Sequence, residues 1–355
     1  MSDKGPNVIL RTSPHLRVSP PVDVIMRNVV YALLPVCLYS VYQFGISVLA
    51  LIIVCTAACV LTEHVFCKLS GKPSTVGDWS AVISGILLAL CLPPGFPLWM
   101  AAVAGFTGIG LGKVFFGGLG FNVMNPALIG RAFAQASFTV PMTTWSPSMV
   151  NGRFTEFIPS TLTLPFLKPN SITEWLAQAQ YPDAFSGATP LALMKFEPEK
   201  AHAIDTTDMF LGTIAGSAGE TSALVILLGG IYLIARRMMD WKITASILAT
   251  AAIMTAIMHA INPVEYPTVM FTLCSGGLML GAVFMATDMV ASPVTPLGII
   301  LYGVLIGFFT MIIRFWGGLN EGVMYAILLG NAFSPLISLI TQPRIYGAKP
   351  PKAAA

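Results

Sequence analysis

The chain has 355 residues, of which 55% are hydrophobic and only 10% are Asp, Glu, Lys or Arg, and its mean hydropathy is +0.77. Soluble domains carry about 25% charged residues, so this composition excludes a soluble globular protein and predicts an integral membrane protein. The net charge of +3 reflects membrane topology in such a chain, and no nucleic acid partner is expected.

Ten apolar runs, each bounded by turn residues or charges, follow one another along the chain. Because a transmembrane helix needs about 20 apolar residues, each run is predicted to be one membrane crossing. The first five lie near 27–43, 46–67, 79–92, 97–115 and 119–139. The second five lie near 211–235, 243–261, 267–287, 296–314 and 322–340. Prolines at Pro93-Pro94, Asn125-Pro126 and Ser292-Pro293 predict that several crossings are broken or re-entrant.

An internal repeat accompanies these ten segments. Phe115-Phe116-Gly117-Gly118-Leu119 matches Phe315-Trp316-Gly317-Gly318-Leu319, and ten of nineteen positions agree without gaps at an offset of 200. Since each half has five crossings, an odd number, the second half must cross the membrane in the opposite sense. The predicted fold is an all-α integral membrane protein of two inverted five-helix repeats, which place broken helices around a site near the midplane. The segments expected to line that site are 122–131 and 286–296.

Polar stretches and basic residues predict the domain organisation. The predicted parts are an N-terminal segment over 1–23, a first repeat over 24–139, a loop over 140–208, a second repeat over 209–340 and a tail over 341–355. With both termini in the cytoplasm, the basic residues of the outside segments are only Arg153, Lys168, Lys195, Lys200 and Arg314. The others, Arg131 excepted, fall inside, which is the bias that the positive-inside rule requires. The loop is therefore predicted to be extracytoplasmic.

This loop contains the run Asp183-Ala184-Phe185-Ser186-Gly187-Ala188-Thr189-Pro190. A small hydroxyl flanked by glycine and alanine has a sterically open oxygen, which attachment of a bulky group requires. An ordinary turn is the alternative, because glycine, proline and small polar residues are also common in turns. We expect Thr189 to be exposed and to act as an acceptor of a group rather than as a catalyst.

Two charged residues in apolar runs indicate a second candidate site. Arg131 and Asp288 would each cost about 2.5–3.5 kcal/mol in the hydrocarbon core unless they face a partner or water. Thr287 and Asp288 offer the oxygen atoms that hard cations prefer, and they are candidate ligands of a transported ion. The alternative is that Asp288 lies at the cytoplasmic end of its span. The six cysteines and four histidines lack cluster or haem spacing, so neither an iron–sulfur cluster nor a haem is expected.

Further motifs occur in one order along the chain. They are Met26-Arg27-Asn28, Gly117-Gly118-Leu119-Gly120, Asn125-Pro126-Ala127-Leu128-Ile129-Gly130-Arg131, Gly216-Ser217-Ala218-Gly219-Glu220 and Met285-Ala286-Thr287-Asp288. Together with the threonine run, they resemble the RnfD/NqrB family, whose members are membrane subunits of the Rnf complex and of the sodium-pumping NADH:quinone oxidoreductase. The length and the short N-terminal segment favour the Rnf member. The Ser-Gly-Ala-Thr sequence is as in the quinone-reducing relative, which stays an alternative.

The resemblance implies a membrane subunit of a redox-driven ion pump, an electron-transfer part of a translocase rather than a complete enzyme. Flavin mononucleotide (FMN) would be joined to Thr189 through a phosphodiester by a separate, FAD-dependent flavin transferase. The signature of that reaction includes Asp183, Ser186, Gly187 and Ala188. Electrons would pass between ferredoxin and NAD through several subunits of the complex, of which this one would hold flavin relays, while Na+ or H+ crosses a bacterial inner membrane.

The resemblance also implies a second, noncovalent flavin, such as riboflavin, between the helices. Asn122, Asn125 and Arg131 match the carbonyls and ring nitrogens of such a flavin, and Glu220 would orient the flavin on the loop. Two other classes stay open: a secondary transporter or channel for a small solute, which the inverted repeat also fits, and a structural anchor without a cofactor. A yellow colour that survives acid precipitation would distinguish a covalent flavoprotein from both.

Overall fold

The computed structural model describes residues 21–71, 74–165, 167, 189–196, 201, 204–220 and 222–343. The regular secondary structure in these ranges consists of helices, without β-strands. Five of the described helices are long and apolar enough to cross a membrane, and three further apolar helices are shorter. The predicted all-α membrane fold is thus confirmed.

The first repeat contains five apolar helices on the predicted segments. They are α1 (Val22–Phe44), α2 (Ile46–Leu69), α3 (Ser80–Cys91), α4 (Leu98–Ile109, continued by the π-helical turn Gly110–Val114) and α5 (Pro126–Ser137). A short 3-10 turn, Val76–Asp78, precedes α3. Helix α5 is shorter than the predicted span over 119–139, because the glycine-rich segment 115–125 forms a turn. Asn125 then caps the helix, its side chain accepting a hydrogen bond from Ala127 N.

The connection between the repeats contains short helices, and the second repeat again contains five apolar segments. The described helices of the connection are α6 (Thr139–Thr143), α7 (Pro190–Phe196) and α8 (Thr206–Leu211). The second repeat comprises α9 (Ala223–Ala235), α10 (Trp241–Ile261), α11 (Val269–Cys274), α12 (Leu278–Leu280, continued by the π-helical turn Gly281–Met285), α13 (Pro296–Trp316) and α14 (Val323–Ile340). The break in the third segment lies at 275–277, earlier than the sequence predicts, and 286–295 forms the turn that follows.

The turns between helices lie at two ends of the bundle. At one end, the loop face, the connection packs on the α1–α2 turn, where Ile158 N donates to Ser47 Oγ at 2.9 Å. Lys195 Nζ donates to Gly317 O, which brings the α13–α14 turn to the same face. At the other end, the opposite face, residues from several turns line one cavity. The described turn residues at the opposite face are 70–71, 74–79, 115–125, 236–240 and 286–295.

The connection is bonded to both repeats. Helix α7 contacts the second repeat through Lys195. The segment that leads into α9 bonds instead to the end of α3 in the first repeat, since Ala218 N donates to Leu92 O at 3.0 Å and Gly219 N donates to Leu90 O at 2.6 Å. These bonds tie the second repeat to the first at the loop face.

The structure confirms that the repeats are inverted. The matching glycine pairs, Gly117-Gly118 and Gly317-Gly318, lie in equivalent turns after the fourth helix of each repeat. The first turn lies at the opposite face, whereas the second lies at the loop face. The packing is equivalent as well, because α4 packs against α2 and α5 as α13 packs against α10 and α14. Buried apolar side chains of both repeats form one core, among them Leu33, Leu90, Leu128 and Tyr302.

Candidate functional site

A cavity with about 770 Å³ of empty space, its mouth included, opens at the opposite face between the two repeats. Apolar side chains, including Met26, Leu87, Leu119, Leu233 and Phe284, form most of its wall. Its polar lining residues are Ser80, Ser84, Lys113, Asn122, Asn125, Thr287 and Asp288. We call it the asparagine cavity. It brings the asparagines predicted for a flavin together with the threonine and aspartate predicted for an ion.

The two asparagines are held by the backbone. Asn125 Oδ1 accepts from Ala127 N at 3.0 Å, and its Nδ2 donates to Met285 O at 3.4 Å. This side chain therefore connects α5 to the π-helical turn of the other repeat. Asn122 Nδ2 donates to Met124 O at 3.5 Å. Both asparagines are buried, so their amides are fixed by packing as a binding site requires.

Thr287 and Asp288 follow the same π-helical turn and also line the cavity. Thr287 Oγ1 donates to Val283 O at 2.6 Å, so its proton is engaged and its lone pairs stay available as acceptors. Asp288 Oδ1 accepts from Val290 N at 3.2 Å, which fixes the carboxylate in the turn. Two adjacent residues thus offer oxygen atoms as possible cation ligands in the cavity that the asparagines also line.

An ion pair that the sequence analysis did not predict lies in the wall of the asparagine cavity. Lys113 Nζ lies 2.7 Å from Glu63 Oε1 and 3.9 Å from Asp78 Oδ2, and it also donates to Ser80 Oγ. The side chains of Lys113 and Glu63 are 2% and 1% exposed. Both residues lie in apolar runs, where a charged side chain indicates a buried partner. The sequence does not show which residue is the partner, because the two lie 50 positions apart.

A second group of buried charges joins the two repeats. Arg131 Nη2 donates to Glu321 Oε2, and Glu321 Oε1 accepts from Gly277 N at the break in the third segment. Glu220 Oε2 accepts from Ser217 N at 3.2 Å. The Oε1 atoms of Glu321 and Glu220 lie 3.1 and 3.6 Å from the point that a Cβ of Gly277 would take. Arg131 therefore lies with Glu220, and it does not line the asparagine cavity.

A second cavity, with about 630 Å³ of empty space including its mouth, opens at the loop face. Its lining residues are Leu191, Met194, Lys195, Glu265, Tyr266, Pro267, Thr272, Arg314, Phe315 and Asn320. Arg314, which the topology places among the outside charges, is buried and donates to Thr272 O at 2.9 Å and Ser275 O at 3.0 Å. The rings of Tyr266 and Phe315 pack edge to face with centroids 5.1 Å apart. We call this the arginine cavity.

Thr189 lies directly before α7, the helix that forms one wall of the arginine cavity. Its Oγ1 accepts from Ala192 N at 3.3 Å, as in a helix cap, and the residue is only 6% exposed. The expectation of an exposed hydroxyl is therefore wrong for this conformation, because the cap directs the oxygen toward the helix. The other predicted residues of the run, Asp183, Ser186, Gly187 and Ala188, lie outside the described residues.

These features define a class of protein: a multi-pass membrane protein built by internal duplication, in which the two cavities described above open at opposite faces. The model of the NQR2, RnfD, RnfE family matches residues 9–347, and the chain belongs to this family.

Relatives of known name cover nearly the whole chain. The chain is 41% identical over 343 residues to the D subunit of the Na+-translocating ferredoxin:NAD+ oxidoreductase complex of Acetobacterium woodii, with 96% of each chain covered. It is 39% identical over 340 residues to the D subunit of the proton-translocating ferredoxin:NAD+ oxidoreductase complex of Clostridium ljungdahlii, again with 96% of each covered. It is 39% identical over 335 residues to the D subunit of the ion-translocating oxidoreductase complex of Stutzerimonas stutzeri, with 92% of each covered.

Proposed function

We propose that this chain is the RnfD membrane subunit of an Rnf-type complex, which transfers electrons between ferredoxin and NAD and couples this transfer to transport of Na+ or H+. The names of two relatives that match along 96% of their length support this activity, and the name of a third supports an ion-translocating oxidoreductase. In this chain, the observation that carries the proposal is the pair of cavities, one at each face. A path for electrons across a membrane needs a redox group near both faces, and the other subunits complete the path.

In this proposal, Thr189 is the residue to which FMN is attached through a phosphodiester by an FAD-dependent flavin transferase. The neighbouring arginine cavity fits a flavin ring, because its wall contains the aromatic rings of Tyr266 and Phe315. Arg314 Nε is a buried donor for which the described residues provide no hydrogen-bond acceptor. A flavin in this position would supply reversible electron transfer, and the protein supplies its position and its electrostatic surroundings.

In this proposal, the burial of Thr189 supports an order of maturation. In the folded structure the threonine hydroxyl caps α7, and this helix packs against the second repeat. A transferase must reach that hydroxyl from solvent, so attachment precedes the packing of α7 onto the bundle. Asp183, Ser186, Gly187 and Ala188 are proposed to form the segment that the transferase recognises.

We assign a noncovalent second flavin, with riboflavin as the simplest case, to the asparagine cavity. The amides of Asn122 and Asn125 offer both donors and acceptors to the polar edge of a flavin ring, and apolar walls such as Phe284 suit its faces. Arg131 is paired with Glu321 and is not assigned to this flavin. With Glu220, Arg131 is proposed to fix the junction of the two repeats between the cavities.

The ion is assigned to the same cavity. Thr287 and Asp288 place a hydroxyl and a carboxylate there, and hard cations bind such oxygen ligands. A proton could use the carboxylate alone, so the assignment serves Na+ and H+ alike. Unchanged ion-dependent turnover of the complex after Asp288→Asn would exclude this residue from the ion pathway.

We assign the opposite face to the cytoplasm of a bacterial inner membrane, with both termini cytoplasmic and the loop face extracytoplasmic. The described basic residues toward the opposite face are Arg27, Lys68, Lys113, Arg236, Arg237 and Lys242, against Arg153, Lys195 and Arg314 toward the loop face. This asymmetry supports the assignment by the positive-inside rule. Labelling of a cysteine introduced at Arg237 by an impermeant reagent in intact spheroplasts would contradict it.

The covalent flavin is the part of the proposal that one substitution tests. Thr189→Val keeps the size of the side chain and removes the acceptor oxygen, so flavin fluorescence of this subunit should be lost in a denaturing gel. The peptide containing residue 189 should lose the mass of an FMN adduct as well. Thr213→Val, on the same face, is the matched control and should keep full fluorescence.

A fluorescent band from Thr189→Val would place the attachment elsewhere. A colourless wild-type complex, made in a host that has the transferase, would instead favour a solute transporter, for which the inverted repeat is also suited.

A further inference from the structure

Arg314 stands out among the buried cations of the described residues, because its guanidinium bonds to neutral groups. It is 6% exposed, and its two Nη atoms donate to Thr272 O and Ser275 O. These carbonyls belong to the end of α11, just before the break in the third segment. The third nitrogen of the guanidinium, Arg314 Nε, has no hydrogen-bond partner in the described structure.

The nearest carboxylate is engaged elsewhere. Glu321 accepts hydrogen bonds from Arg131 and from Gly277 N. The side chains of Arg131 and Glu321, which form an ion pair, are 9% and 16% exposed. Glu321 is therefore paired with Arg131 and not with Arg314. Arg314 has no carboxylate at ion-pair distance among the described residues, so its direct partners are peptide carbonyls and Glu321 stabilises its charge only from farther away.

The guanidinium of Arg314 also lies close to the first turn of α7, the helix that Thr189 caps. Three atoms converge on the point that a Cβ of Gly276 would take: Leu191 Cδ1 at 2.6 Å, Glu321 Oε1 at 2.8 Å and Arg314 Nη2 at 3.1 Å. Leu191 lies two residues after Thr189 and lines the arginine cavity. A group tethered to Thr189 that enters this cavity thus comes within the field of a buried positive charge.

The asparagine cavity has different electrostatics. Its buried cation, Lys113, lies 2.7 Å from a Glu63 oxygen and 3.9 Å from an Asp78 oxygen. Those two carboxylates lie behind the cavity wall, and Asp288 places a further carboxylate in the lining itself. The arginine cavity is lined by two cations, Lys195 and Arg314, and by one carboxylate, Glu265. A ring that gains negative charge on reduction is therefore stabilised in the arginine cavity relative to the asparagine cavity.

We propose that Arg314 is a positioning residue that raises the reduction potential of the flavin tethered to Thr189. The inference rests on the proposed function. Each electron that the ring accepts without a proton adds one negative charge, and the guanidinium, which stays protonated, stabilises that charge across a poorly solvated cavity. At equilibrium, electrons then favour the ring at the loop face over the ring at the opposite face.

The test is a reductive titration of the purified complex with dithionite and mediator dyes, carried out on wild type and on charge variants. Arg314→Gln should weaken the stabilisation of the reduced flavin by at least tenfold, which is about 59 mV downward for a one-electron couple. Arg314→Lys retains the charge but not the planar fork, and it should keep most of the wild-type potential. Arg153→Gln removes a charge from the loop face outside the cavity and should leave the potential unchanged.

Three outcomes separate the possibilities. An unshifted potential in Arg314→Gln, with full flavin fluorescence in the gel, overturns the inference and leaves the proposed function intact. Equal losses in the glutamine and lysine variants also overturn it, because they would show that only the bonds to Thr272 and Ser275 matter. Absence of a covalent flavin from the wild-type subunit would overturn the proposed function itself.

A second variant keeps the test decisive if Arg314→Gln does not assemble. Asn320→Asp places a carboxylate in the same cavity at nearly constant volume. It should lower the potential by neutralising part of the field of Arg314. An unchanged potential in a fully flavinylated Asn320→Asp complex overturns the inference.

Discussion

The asparagine and arginine cavities are built from equivalent parts of the two repeats, yet they compensate their buried cations differently. Each lies at the end of the fourth helix and the turn that follows it, and Lys113 and Arg314 occupy nearly equivalent positions there. Lys113 is neutralised by a carboxylate from α2, whereas Arg314 bonds to backbone carbonyls at a helix break. The duplication thus preserved the packing of the helices while the charges at the two faces diverged.

The largest expected effect concerns the cation that has a carboxylate partner. Lys113→Met leaves Glu63 buried without its ion pair, which should lower the free energy of unfolding by about 3–5 kcal/mol. The double variant Lys113→Met/Glu63→Gln removes both charges and should recover most of that loss. Thermal unfolding of the subunit in detergent gives the comparison, with Lys68→Met, an exposed charge on the same face, as the control. A double variant as unstable as the single one would show that the pair is not the cause.

A smaller effect should distinguish the helix break at 275–277 from the turn at 115–125. Gly276 and Gly118 both have positive φ, +67° and +108°, so alanine should cost about 1–3 kcal/mol at either position. A Cβ at Gly276 would also meet Leu191 and Glu321, whereas nothing lies within 4 Å of one at Gly118. Gly276→Ala should therefore unfold at a lower temperature than Gly118→Ala. Equal melting temperatures would mean that the break at 275–277 is no more tightly packed than the turn at 115–125.

The smallest effect on stability is expected at Asn125. One substitution at this position can keep the helix cap and remove the amide proposed to bind a flavin. Asn125→Ser keeps a good N-cap, so the free energy of unfolding should change by only about 0.5 kcal/mol. The variant loses the amide that faces the cavity, and noncovalent flavin should be retained about two- to tenfold more weakly.

The flavin released on denaturation, divided by protein, measures this retention. Asn125→Ala is the control, since it loses both the cap and the amide and should be less stable as well. Full retention of flavin in Asn125→Ser would remove this residue from the proposed site.

Hydropathy predicted the positions of the ten segments because burial in lipid requires long apolar runs wherever they occur. Hydropathy did not predict those helix ends that depend on glycine conformation and on helix capping. Residues 119–125 are apolar enough to extend a helix, but glycines with positive φ and the cap at Asn125 delay its start to Pro126. The third segment of the second repeat likewise reads as one span, and only the structure shows its break at 275–277.

The candidate site was predictable residue by residue but not as an arrangement. Asn122, Asn125, Thr287 and Asp288 were each singled out, and the structure brings all four to one cavity. Arg131 is predicted together with the asparagines because its guanidinium, like their amides, matches the polar edge of a flavin. It points instead to Glu321, 190 positions away, and such a pairing across the repeats leaves no mark in a single sequence.

The bonds from Ala218 and Gly219 to the end of α3 have a consequence for how the protein could be divided. They hold the entrance to the second repeat against the first without relying on the covalent link through residues 168–188. Two separately synthesised polypeptides, divided within that stretch, should therefore find each other in the bilayer and reconstitute one particle. A continuous polypeptide between the two repeats would then not be required for the fold.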